Sequence, residues 1–132
     1  MVRRLILDTG LLIAYERNDV DPAIIQDDDL AIAAITVAEY RTGIELAATV
    51  ERAAERARAI DTITSAVDVL SYTASTATHH ARLIAHARRS GRPRGAHDLV
   101  IAAHAAETGR TVLSLDAAAR FSELPGVIAT AP

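Results

Sequence analysis

The chain has 132 residues, half of them apolar and 23% charged, with a formal net charge of −3. That length fits a single domain over residues 1–132, able to bury about two-thirds of its unfolded surface without covalent staples. The lack of cysteine excludes disulfides, thiolate metal sites and cysteine nucleophiles, and it suits a reducing, cytoplasmic setting.

At the N-terminus, MVRR followed by LIL mimics the start of a signal peptide. Asp8 interrupts that apolar run and no small-x-small cleavage site follows, so export is not expected. No stretch approaches the roughly 20 apolar residues of a membrane span, so no membrane partner is expected either. Arg3–Leu7 reads as a short buried strand that ends on Asp8. A second apolar run, Gly10–Ala14, follows almost at once. A carboxylate between two buried stretches is costly unless it is paired, used as a helix cap or bound to a metal.

LAIAAI (30–35) reads as a second strand. Thr36 to about Ile60 reads as a long helical region, interrupted near Ala48–Thr49, with apolar steps at Val50, Ala54 and Ala57. VDVLSY (67–72) shows partial strand alternation. Ala74–Ser90 is expected to be helical, with Ala77, Ala81, Ile84 and Ala87 on one face, stopped by Gly91 with Pro93 beyond. HDLVIAAHAAET (97–108) is a further helix, closed by Gly109. TVLSL (111–115) and GVIAT (126–130) complete the strands. Alternating strands and helices of these lengths imply an α/β fold with helices on both faces of a parallel sheet. Ligands in such folds bind at the carboxyl ends of the strands.

The acidic residues concentrate there. Asp8 follows the first strand, Glu39 lies one helical turn past the second, and Asp116 follows TVLSL. Asp98 opens a helix that has to start at the same edge in order to run back into that strand. Each acid also has a purely structural reading. Thr36 and Glu39 in TVAE fit a capping box, and Asp98 and Asp116 fit N-caps. Asp98, however, shares a stripe with Ile101, Ala102 and Ala105, and caps have no reason to converge. Clustered carboxylates resist joint ionisation, and a hard divalent cation relieves that conflict. Oxygen donors without cysteine or paired histidine favour Mg²⁺, with Mn²⁺ as the alternative.

All 14 basic residues are arginine. Arg88, Arg89, Arg92 and Arg94 fall within seven residues, either as a solvated helix end or as a phosphate-binding patch. Five histidines (79, 80, 86, 97 and 104) lack ligand spacing for a metal and read as ordinary surface residues. One helical step of about 100° turns His97 away from Asp98.

The segments LILDTGLLIAY, AITVAEYRTGI and GRPRGAHDLVIAAHAAETGRTVLSLDAAARF, in that order over nearly the whole length, resemble the PIN-domain ribonucleases, and among them the VapC-type toxins of toxin–antitoxin pairs. The resemblance implies a three-layer α/β/α sandwich around a central, mainly parallel sheet. It implies a metal site formed by the acids at Asp8, Glu39, Asp98 and Asp116. Gly10 stands where the family often has Ser or Asn, which leaves Thr9 to supply a hydroxyl; Ser114 stands near the fourth acid in the same supporting role.

The expected activity is Mg²⁺-dependent endonucleolytic hydrolysis of RNA. Asp8, Asp98 and Asp116 would hold the ion, Glu39 would ligate it or act as a general base, and Arg92 and Arg94 would hold substrate phosphates. Expected partners are RNA, a small cognate antitoxin and a second copy of the chain. The Ala-rich amphipathic segment 45–60 is a surface for that second copy or for the chain's own core. Two rival functions remain: a catalytically degenerate RNA- or partner-binding module, and an aspartyl-phosphate phosphatase. The second rival lacks support, because DTG has no second Asp and the chain has no Lys.

Overall fold

The computed structural model describes residues 2–132. Its centre is a sheet of strands β1 (Arg4–Leu7), β2 (Asp29–Ala33), β3 (Asp68–Leu70), β4 (Thr111–Leu113) and β5 (Ala129–Thr130). Their order is β3-β2-β1-β4-β5 and every pairing is parallel, with Ile6 opposite Ala31 on one side and Val112 on the other. The helices are α1 (Thr9–Glu16), α2 (Ala34–Glu45), α3 (Val50–Ala66), α4 (Ala74–Ser90) and α5 (Ala96–Thr108), joined by short 3₁₀ turns at 22–24, 117–119 and 121–123.

Period-two alternation in the strands sorts the core into two layers. Ile6, Ala33 and Val112 face α4 and α5, packing against Leu83, Ala87, Leu99 and Ile101, with Phe121, Leu124 and Val127 closing that side. Leu5, Leu7, Ile32 and Leu113 face the other way, onto Leu11 and Leu12 of α1 and Ile63 of α3. Strands covered on both sides carry no polar face, and so the strand segments read as plain apolar runs. The result is the expected three-layer α/β/α sandwich.

Helix limits follow local chemistry. α4 begins at a Thr73–Thr76 capping box and ends where Gly91 adopts φ +67°. Gly109, at φ +72°, ends α5 in the same way. The expected helix from Thr36 to Ile60 is two helices, because Thr49 accepts a hydrogen bond from the Arg52 N–H (3.1 Å) and starts α3 afresh. α2 starts two residues earlier than the sequence indicated. Ala33 is both the last residue of β2 and the N-cap, without a side-chain cap. Thr36 therefore sits inside the helix, fully buried, and the capping box it was expected to form with Glu39 does not exist.

The sheet order places the site. The chain moves outward from β1 through β2 to β3, then crosses back to the other side of β1 for β4 and β5. The direction reverses between β1 and β4, and the loops leaving adjacent strands diverge there to open a crevice at the carboxyl edge.

Candidate metal centre

Asp8 leaves β1 at that crevice. Its backbone N–H donates to the Leu113 carbonyl of β4 (3.1 Å), which extends the pairing one residue further. One carboxylate oxygen, Oδ1, accepts from the Thr9 N–H (2.8 Å) and so caps α1. The other, Oδ2, accepts from the Ser114 hydroxyl (2.8 Å). Asp8 is thus a helix cap and also a member of the acidic group, so its two readings are compatible.

Ser114 sits just past β4 and is buried. Its oxygen donates to Asp8 and accepts from the Asp116 N–H (3.0 Å), so one hydroxyl ties both acid-bearing loops together. Asp116 is exposed, and its Oδ1 accepts from the Ala118 N–H (3.0 Å), capping the 3₁₀ turn that follows. Glu39 comes from the second turn of α2. Its Oε1 accepts from the Thr9 hydroxyl (2.9 Å), and Thr9 lies 3.4 Å from the buried Thr36 hydroxyl.

Asp98 lies in the first turn of α5, whose N-cap is Gly95 rather than an acid. Its carboxylate folds back over that glycine. A Cβ at position 95 would stand 2.9 Å from Asp98 Oδ2, closer than such atoms approach, so any side chain there would push the Asp98 carboxylate aside. The apolar stripe shared by Asp98, Ile101, Ala102 and Ala105 is real: the last three are buried, and Asp98 emerges from that stripe half-buried at its mouth.

Electrostatics register the convergence. Burial pushes the Asp98 carboxyl above its ordinary range, and the charges of Asp8, Asp116 and Glu39 push it further, opposed only in part by His97. Burial raises Asp8 as well; the Ser114 and Thr9 hydrogen bonds partly offset this, while Asp116 and Glu39 add to it. No arginine figures among the groups that act on either carboxylate. The chain therefore assembles negative charge at one edge, with His97, among the described residues, the only cationic side chain acting on Asp98 and no arginine acting on Asp8 or Asp98.

Among the described residues, no three Asp, Glu or His side chains stand close enough to enclose a bare ion. Any ion there would take few direct protein ligands and fill its remaining positions with water, the habit of Mg²⁺.

One arginine and two histidines depart from expectation. Arg94 was expected at substrate phosphates. Its side chain is only 5% exposed and donates to the carbonyls of Ala119 (2.6 Å) and Arg120 (2.7 Å), so it secures the loop after Asp116. Arg92 remains exposed, 3.5 Å from Glu123. His97 was expected to turn away, yet its Nδ1 lies 3.1 Å from Glu39 Oε2. α2 packs close by and places Glu39 in its path, a tertiary contact no helical wheel contains, and the His97 charge also acts on Asp98. His104 is not a surface residue. It is buried in α5 with both ring nitrogens unpartnered, and burial pulls its pKa down, toward the neutral form.

Known proteins give an independent bearing. The PIN domain family model matches residues 5–127. The tRNA(fMet)-specific endonuclease VapC of Shigella flexneri is 31% identical over 117 residues, covering 84% of this chain and 85% of that protein. Ribonuclease VapC5 of Mycobacterium tuberculosis is 35% identical over 112 residues, covering 84% and 82%. Among solved structures, VapBC-5 of Mycobacterium tuberculosis, from the VapBC family of toxin–antitoxin systems, superposes with a TM-score of 0.76 at 32% identity over 96% of this chain and 94% of that one. DNA-bound VapBC from Salmonella typhimurium superposes with a TM-score of 0.83 at 26% identity, covering 99% and 98%.

Proposed function

The chain belongs to the PIN-domain family, on its VapC-type branch, and from that premise we propose that it is the endoribonuclease toxin of a toxin–antitoxin pair and depends on Mg²⁺. The observation that carries this reading is the linked acidic edge: Ser114 ties Asp8 to Asp116, Thr9 ties the helix that Asp8 caps to Glu39, and the charges of all three acids add to the burial that raises Asp98. Asp8, Asp98 and Asp116 would hold the ion, in part through its bound water; their all-oxygen donor set suits Mg²⁺ or Mn²⁺. A divalent ion held there would supply positive charge for the developing phosphorane and a more acidic water.

The chain's own groups do the rest. Glu39, steadied by the Thr9 hydroxyl and next to His97, accepts the proton of the attacking water. The water oxygen bonds to phosphorus and the bond to the 3′-oxygen breaks; the departing oxygen takes a proton from solvent water, leaving a 5′-phosphate and a 3′-hydroxyl. The 2′-hydroxyl takes no part, so preference for RNA arises from binding. Arg92 is free enough to hold a phosphate beside the site, because an exposed pair such as Arg92–Glu123 contributes little.

The solved relative VapBC-5 is a toxin–antitoxin assembly, which supports a small antitoxin as partner here. Leu46 (78% exposed) and Val50 (82% exposed), around the turn between α2 and α3, supply apolar surface for a second copy of the chain.

The test is cleavage of a 5′-labelled hairpin RNA and of total cellular RNA, with 5′ ends mapped. Cleavage with Mg²⁺, abolished by EDTA and by Asp98→Asn, is the expected result. Undiminished cleavage in EDTA or in that variant would refute the proposal. RNA binding without cleavage at any Mg²⁺ or Mn²⁺ concentration would favour the degenerate binding module instead.

A further inference from the structure

Next to the acidic edge, the carboxyl end of α4, the loop 91–95 and the first turns of α5 enclose an open groove of about 570 Å³. Ile84, Leu99 and Val100 form an apolar floor, and Arg88, Arg92 and His97 stand around it. Among the described residues no carboxylate lines the groove. Arg88 and Arg92 are exposed, and His97 continues from the groove to Glu39 at the acidic site, 3.1 Å away.

We propose that this groove is a nucleotide subsite: it holds the nucleotide of single-stranded RNA next to the scissile phosphate, base on the apolar floor and phosphates on Arg88 and Arg92. The assignment rests on the ribonuclease reading above and extends it to how substrate is seated. Three properties combine to select this occupant. The volume falls in the ~300–1,000 Å³ range of pockets that enclose a small ligand. The charged side chains lining the groove are all basic, opposite in sign to a phosphate backbone, with Glu123 beside Arg92 and Glu39 beside His97 outside the lining. The surfaces are those a base uses, since guanidinium planes and an imidazole stack on bases while aliphatic side chains cover the remaining face. A strand whose phosphate lay over the acids would meet His97 and enter this groove with its neighbouring nucleotide. An acidic or apolar peptide could contact the same rim, but nothing would then tie the groove to the site where phosphate is cut.

The experiment uses the full-length chain carrying Asp8→Asn to suppress cleavage, with and without Arg88→Gln and Arg92→Gln, and a fluorescein-labelled single-stranded RNA titrated at several salt concentrations. The double substitution should weaken binding at least tenfold and lower the slope of log K against log salt by about one for each arginine. Amide shifts on adding a hexanucleotide RNA should concentrate at residues 84, 88, 97 and 100. Unchanged affinity and salt slope, or shifts confined to other parts of the surface, would overturn the subsite. So would dependence of antitoxin capture on the two arginines without a corresponding effect on RNA. A parent protein that cleaves RNA but is indifferent to the arginines overturns this assignment alone, whereas a parent that cleaves no RNA overturns the ribonuclease reading beneath it.

Discussion

Ser114 holds the site together through one oxygen, donating to Asp8 and accepting from the Asp116 backbone. Ser114→Ala leaves a buried carboxylate oxygen and a loop N–H without their partner, at a cost of about 1–3 kcal/mol. The expected outcome is a lower melting temperature together with weaker RNA cleavage; unchanged cleavage would show that Asp8 needs no such support. Asp8 itself carries the opposite balance. Its pKa is raised in the fold, so the native state binds its proton more tightly than the unfolded chain does. Stability of the metal-free protein therefore declines as pH rises from the unfolded value toward the folded one, and the deficit persists above it. Asp8→Asn removes that deficit and should stabilise the metal-free protein at neutral pH relative to acid pH while abolishing cleavage. Thermal melts of both proteins at acid and neutral pH test this: the gap should open with rising pH. A gap that closes with rising pH would mean the carboxylate is stabilised, not strained. Gly95→Ala places a methyl against Asp98 and should impair cleavage more than stability. Neither Gly95 nor His97 could be assigned its role from sequence, since each depends on a contact that only the folded chain supplies. The four acids were legible because strand ends and helix starts are sequence features.

Between elements, the informative tie is Arg94. Its guanidinium spans from the loop after α4 to the carbonyls of Ala119 and Arg120, fixing the segment that follows Asp116. Arg94→Ala removes two hydrogen bonds from a charged donor, each worth about 1.5–3 kcal/mol, and should loosen residues 117–123. Faster amide exchange in that segment, without loss of the sheet, is the expected outcome; unaltered exchange would contradict the anchoring role. Sequence alone gave Arg94 the same weight as Arg92, because proximity to Asp98 was the only visible property. Helix ends with glycine in left-handed conformation, Gly91 and Gly109, were legible to the residue. The start of α2 was not. Thr36 and Glu39 have a capping box's spacing, but β2 runs directly into the helix and buries Thr36 before it can cap. The strand segments 67–72 and 111–115 were read too long for a related reason: Ser71, Tyr72 and Leu115 lie beyond the last paired residues and are exposed.

At the scale of the whole molecule, the parallel sheet gives the acids a common edge. Two halves leave β1 in opposite directions, and the end of β1, the second turn of α2, the start of α5 and the loop after β4 each contribute one carboxylate. Alternating strands and helices revealed the fold class. The strand order, which decides that Asp8 and Asp116 lie side by side, had to come from the structure. Among the described residues no helix is long and apolar enough to cross a membrane. Because the fold concentrates like charge, a divalent ion should raise the melting temperature, and the rise should grow with pH as the acids lose their protons. A rise independent of pH would place the ion elsewhere.

On the proposed reading, Asp8, Glu39, Asp98 and Asp116 would together form one divalent-ion site. Mn²⁺ binding followed by electron paramagnetic resonance tests it most directly, in the parent chain and in the folded Asp8→Asn and Asp98→Asn variants. The parent should show a saturable site that either substitution abolishes or weakens at least tenfold. Equal Mn²⁺ binding by all three proteins would contradict it.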